Sequence, residues 1–114
     1  SYHRSQATLL AYDIADRMRV NMIAIASYPT ADPSTANIQL GCLAAGCTPV
    51  QMAEHDLYEW NLALTSELPL GEATISPAVA DIYTISIQWD DDRSGVVDGD
   101  DPDFQVSFQE KYQP

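Results

Sequence analysis

At 114 residues the chain is a single domain, and a hydrophobic fraction of 46% places it among folding rather than disordered sequences. A net charge of −12, from 17 acidic and 5 basic side chains, argues against nucleic acid and against docking on anionic lipid, because both need a basic footprint. No run reaches the ~20 apolar residues of a membrane span, and no charged, apolar, small-residue signal peptide opens the chain.

Residues 1–27 read as one helix. Ala7, Leu10, Ala11, Ile14, Ala15, Met18, Met22 and Ile25 recur at steps of three and four and form one apolar arc. Asp13 with Arg17, and Asp16 with Arg19, support a solvated flank. Leu9, Tyr12, Val20 and Ile23 interrupt that flank, which points to a helix contacted on two sides, by its own domain and by a neighbouring subunit; chance exposure of single apolar residues is the plainer reading. Pro29 disfavours helical geometry at Tyr28, so the helix is expected to end near Ser27, after about 40 Å. No capping residue or first-turn Pro starts it, so it is expected to continue upstream of Ser1.

Residues 28–47 carry two prolines, two glycines and many small polar residues, the composition of a long connection. Cys42 and Cys47, at its end, are spaced wrongly for a thioredoxin-like pair and lack partners for a zinc site. A short-loop disulfide in an oxidising compartment such as the periplasm is the favoured reading; two buried free thiols are the alternative.

A second helix occupies 48–67. Thr48 is its N-cap, Pro49 its first residue, and Gln51 completes a capping box. Val50, Ala53, Leu57, Trp60, Leu64 and Leu68 form its expected buried stripe, with Glu54, Asp56 and Glu59 facing water. His3 and His55 are read as surface histidines.

The period then changes to two. Tyr83, Ile85, Ile87 and Trp89 alternate with Thr84, Ser86 and Gln88, and Phe104, Val106 and Phe108 alternate with Gln105 and Ser107. With a shorter strand at 73–76, these predict a three-stranded antiparallel meander over 73–112, covered by the first helix: an α+β fold. Between the two longer strands, Asp90, Asp92, Ser94, Asp98 and Asp101 stand at positions one, three, five, nine and twelve of an EF-hand-like loop. The flanks are strands and the last ligand is not Glu, so a solvated hairpin loop is favoured over a calcium site. Nothing else resembles a catalytic, cofactor or small-molecule constellation.

The motif Gln-Ala-x-x-Leu-Ala-x-Asp-x-x-x-Arg-Met-Arg at 6–19, the Asp-Leu-x-x-Trp helix ending in Leu-Pro-x-Gly at 56–71, and the Ile-x-Trp strand at 87–89 together resemble the type IV pilus modification protein (PilV) family of minor pilins, from about residue 3 to residue 90. The resemblance implies a pilin-like fold. An apolar upper half of the long helix would anchor the precursor in the inner membrane and later pack in the filament, with a methylated mature N-terminus. The lower half would lie against a periplasmic antiparallel sheet, and Ser1 would fall partway down the helix. It further implies a non-enzymatic subunit that primes or shapes pili, with other minor pilins and the major pilin as partners. A minor pseudopilin of a type II secretion system is the nearest alternative, and a calcium-binding adhesin module centred on 90–101 is a more distant one.

Overall fold

The computed structural model describes residues 2–100 and 104–108. Its order is α1 (Tyr2–Val20), a connection with three short 3-10 turns, α2 (Pro49–Glu67), β1 (Glu72–Ile75), β2 (Ile82–Trp89), β3 (Gly99–Asp100) and β4 (Phe104–Ser107). This is an α+β, pilin-like arrangement: a long N-terminal helix, a second helix and one antiparallel sheet.

α1 buries Ala7, Leu10, Ala11, Ile14, Ala15 and Met18. It ends at Val20, not near Ser27. Asn21 leaves helical geometry (φ −123°, ψ 49°), and its side-chain amide donates to the Pro49 carbonyl (2.8 Å) and to the Tyr28 hydroxyl (3.2 Å). Residues 22–27 continue as 3-10 turns with a kink at Ala24, so Met22 and Ile25, expected in the buried arc, are only partly buried, Ile25 packing against the edge of the core.

α2 starts as its sequence dictates. The Thr48 hydroxyl accepts from Gln51 N–H, and the Gln51 side chain accepts from Thr48 N–H. Its buried face differs from expectation at three positions. Val50 is exposed, while His55 and Asp56, expected at the surface, are buried. The connection before α2 is ordered by local bonds: the Asp32 carboxylate caps the turn at Pro33–Thr35, and Pro33 is buried.

β2 is the centre of the sheet. β1 pairs along one edge (Glu72 with Gln88 through Ile75 with Ile85). The other edge is shared by β3 (Gln88 with Asp100) and β4 (Ile85 with Phe104). The expected third strand is thus two short ones, making four, and the last part of the expected 73–112 span, 109–112, lies outside the described residues. Ile85, Ile87 and Trp89 face the core, where they join the α1 arc, Trp60, Leu64, Leu68, Ala73 and Ile75. The Trp60 indole N–H, deep in that core, donates to the Leu10 carbonyl at 2.8 Å and so ties α2 to α1.

Candidate functional site

At about 100° per residue, Tyr2, Leu9 and Val20 project from the side of α1 opposite its buried arc. Val20 is 87% exposed and Ile23, in the turn beyond, 84%. Tyr12, also exposed, differs from these: its ring packs edge-on against Phe104 at 5.0 Å, so part of it belongs to the domain's own sheet. Tyr2 joins this flank in the structure, and the seven-residue step from Tyr2 to Leu9 is its signal in the sequence. The structure therefore gives one helix two apolar sides, one filled and one bare.

A second bare apolar group lies around the covalent loop. Cys42 and Cys47 are joined as a disulfide, with Cα atoms 4.9 Å apart. Beside it Leu40, Leu43 and Val50 are exposed. Between this loop and the end of α1 lies a shallow groove of about 580 Å³ lined by Val20, Met52, Pro49 and Cys47 together with the polar Asp13, Asp16, Arg17, Asn21 and Asp56.

What fixes the bare flank of α1 relative to this loop is a polar network missed by the sequence reading. The Arg17 guanidinium donates to Asp13 (3.1 Å), Asp56 (3.0 Å) and Glu59 (3.0 Å). The buried Tyr28 hydroxyl donates to the other oxygen of Asp56. His55 accepts the Gln39 N–H on Nδ1 (3.2 Å), which leaves Nε2–H to donate to Glu59 (3.0 Å). Each buried polar group is thereby satisfied, and helix, helix and connection lock together. Burial, reinforced by the bond to Asp56, pushes the Tyr28 phenol well above its ordinary range. The bond from Arg17 holds Glu59 below the usual glutamate range, against the smaller opposing effect of burial. Burial opposes the charge on Arg17, but bonds to Glu59, Asp13 and Asp56 outweigh it and hold the guanidinium charged.

The acidic loop between β2 and β3 brings Asp90, Asp92 and Asp98 together, with one carboxylate oxygen of each within 4.8 Å of the others. Asp101 lies outside the described residues. The Asp90 carboxylate is taken up by backbone. It accepts from Asp92 (3.3 Å), Ser94 (3.2 Å) and Gly95 (2.8 Å). Burial works to raise Asp90, but these amides outweigh it and hold it below the usual carboxylate range. Ser94 also donates its N–H to Asp92, and its hydroxyl accepts from Val96 N–H. Asp91 receives the Trp89 indole N–H (2.9 Å), and Gly99 lies against that indole so closely that a Cβ there would sit 2.7 Å from Nε1. These contacts describe a hairpin loop folded on its own side chains.

Among the described residues, no helix is long and apolar enough to cross a membrane. Comparison with curated proteins and with solved structures finds no match for the chain. Residues 1–58, which span α1, the connection, the disulfide and the first half of α2, match the family model of the type IV pilin Tt1218, and the chain belongs to that Tt1218-like family of type IV pilins.

Proposed function

We propose that this chain is the soluble domain of a minor pilin that helps initiate or shape type IV pili, and that it acts by assembly rather than catalysis. The family supports a pilus subunit that assembles with other pilins. The observation that carries the reading further is the bare apolar flank of α1 at Leu9 and Val20, opposite a helix face already filled by the domain's own core and followed by exposed Ile23 in the turn beyond. Such a flank suits burial against neighbouring pilin helices. On this reading the full-length protein is anchored in the inner membrane, displays this domain in the periplasm and passes into the filament. The disulfide then serves in an oxidising compartment, where closing so short a loop stabilises by roughly 2 kcal/mol. A minor pseudopilin would present the same flank; loss of secretion in place of piliation on deletion of the gene would favour it.

The experiment is substitution of Val20 and Ile23 together by Glu in the full-length protein. Both are too exposed for the change to disturb folding, and both should reduce assembly.

On this reading the acidic loop is a solvated hairpin connection whose Asp90 carboxylate serves to order the turn by accepting from the loop amides. Millimolar calcium should therefore leave the melting temperature unchanged. A rise by mass action, abolished by Asp92→Ala, would instead make the loop a cation site and favour the adhesin alternative.

A further inference from the structure

The connection that carries the disulfide rests on α2 through two side-chain acceptors. Residues 37–47 contribute no buried side chain. Their main chain is held instead. Asn37 N–H donates to the Glu54 carboxylate (2.7 Å), with the Asn37 side-chain amide beside it (3.3 Å), and Gln39 N–H donates to His55 Nδ1 (3.2 Å). The turn that follows closes on itself: Cys42 N–H donates to the Gln39 carbonyl, and the Ala44 and Gly46 N–H groups donate to the Gly41 carbonyl. It presents Leu40 and Leu43 to solvent. The place of this turn on the surface therefore depends on what Glu54 and His55 can accept.

His55 is the acceptor that mild acid removes. Imidazole is the side chain whose charge changes between pH 5 and 8. Nδ1 accepts only while it carries no proton, and a protonated ring donates from both nitrogens. Nδ1–H would then face Gln39 N–H, two donors 3.2 Å apart, on a ring only 4% exposed and so with little water to turn to. The other side of the ring would welcome the charge. Nε2 lies on one oxygen of Glu59 (3.0 Å), and Arg17 of α1 holds the other (3.0 Å), keeping Glu59 ionised below the usual glutamate range. Tyr58 stacks on the ring from the same helix, and Glu54 and Asp56 flank it in the chain. The connection brings no charge of its own, since 37–47 hold no Asp, Glu, His, Lys, Arg or Tyr. Protonation thus strengthens pairing on the α2 side and breaks the bond on the connection side.

We propose that His55 is a proton-operated latch: neutral, it docks residues 37–47 on α2; protonated in mild acid, it releases Gln39, and the disulfide turn bearing Leu40 and Leu43 leaves its seat. The helix pair stays closed, because the Glu59–Arg17 pair and the apolar core take no part. The latch stands on the geometry around His55 and not on the assembly reading above.

The test uses the 114-residue protein, labelled with nitrogen-15, in NMR titrations from pH 8 to pH 5. At pH 8 the ring nitrogens should report the Nε2–H tautomer, with Nδ1 bare. As the ring protonates, the amides of 38–47 should shift with the same midpoint. Protection of the Gln39 amide, measured as exchange relative to an unstructured chain, should fall roughly tenfold, the loss expected for one hydrogen bond. Protection at Leu64, in the core of α2, should hold. His55→Asn sets Oδ1 where Nδ1 stands, an acceptor that does not titrate, and should keep Gln39 protected across the range. If that variant does not fold, the joint titration of the ring and the 38–47 amides decides the matter. A ring that stays neutral to pH 5, protonation of the ring with Gln39 still protected, or an equal loss of protection in His55→Asn would overturn the proposal.

Discussion

Ile14→Asp should leave no folded domain at room temperature. Ile14 is 0% exposed, in the middle of the α1 arc. Its replacement removes an apolar side chain worth about 1.5–3 kcal/mol of burial and puts a carboxylate into a cluster whose buried members are all hydrophobic. The sum exceeds about 4 kcal/mol, a large part of the roughly 5–15 kcal/mol that holds a domain of this size together. Far-UV circular dichroism and a thermal melt read the outcome directly. Val20→Asp, on the same helix but exposed, should melt within a few degrees of the parent. A cooperative melt of Ile14→Asp near the parent's would show that the arc does not build the core.

Asp56→Ala should produce the second largest loss, about 2–4 kcal/mol, and lower the melting temperature by roughly 10 °C. The change removes two charge-assisted bonds at once: the buried Tyr28 hydroxyl is left to donate only to the more distant Arg17 carbonyl (3.3 Å), and Arg17 Nη1 is left with Glu59 alone. Tyr28→Phe, which removes only the donor, should cost less. The same network sets the pH range of stability. Tyr28 ionises with more difficulty folded than unfolded, so its contribution is complete below about pH 10, the ordinary tyrosine value, and is lost as pH rises above it. Glu59 ionises more readily folded, so its contribution is present above the ordinary glutamate range and is lost as pH falls through and below it. Denaturant melts across pH should show the alkaline loss shrink in Tyr28→Phe. An unchanged alkaline limb in that variant would remove Tyr28 from the account.

The parts of this fold written in short-range chemistry were legible in the sequence. The capping box at Thr48 and Gln51 lies within four residues, and the alternation along β2 needs only the strand period. Both helices, the strands at 82–89 and 104–107, and the bare residues Leu9, Val20 and Ile23 follow from the same local rules. What was not legible depends on partners far along the chain. Asp56 looks like a surface acid on α2 until Tyr28 and Arg17 are brought to it from 28 and 39 residues away. His55 looks solvated until the Gln39 amide lies on its ring. Pro29 marks only the last place at which α1 can continue; the actual stop at Val20 is set by Asn21 reaching the Pro49 carbonyl across the fold. The Asp90 loop carries the spacing of a cation site, yet the sequence does not reveal that backbone amides claim the first carboxylate.

The central claim is that this domain works through the outer flank of α1, and incorporation into filaments tests it most directly. Full-length protein, with and without Val20→Glu and Ile23→Glu together, should be expressed in cells lacking the native copy. The amount in sheared pili and in the membrane fraction is then measured by immunoblot, alongside the number of pili per cell. The account predicts wild-type protein in the sheared filaments, and the doubly substituted protein folded, at equal cellular abundance, retained in the membrane fraction with fewer pili. Equal incorporation and normal piliation of the substituted protein would contradict it.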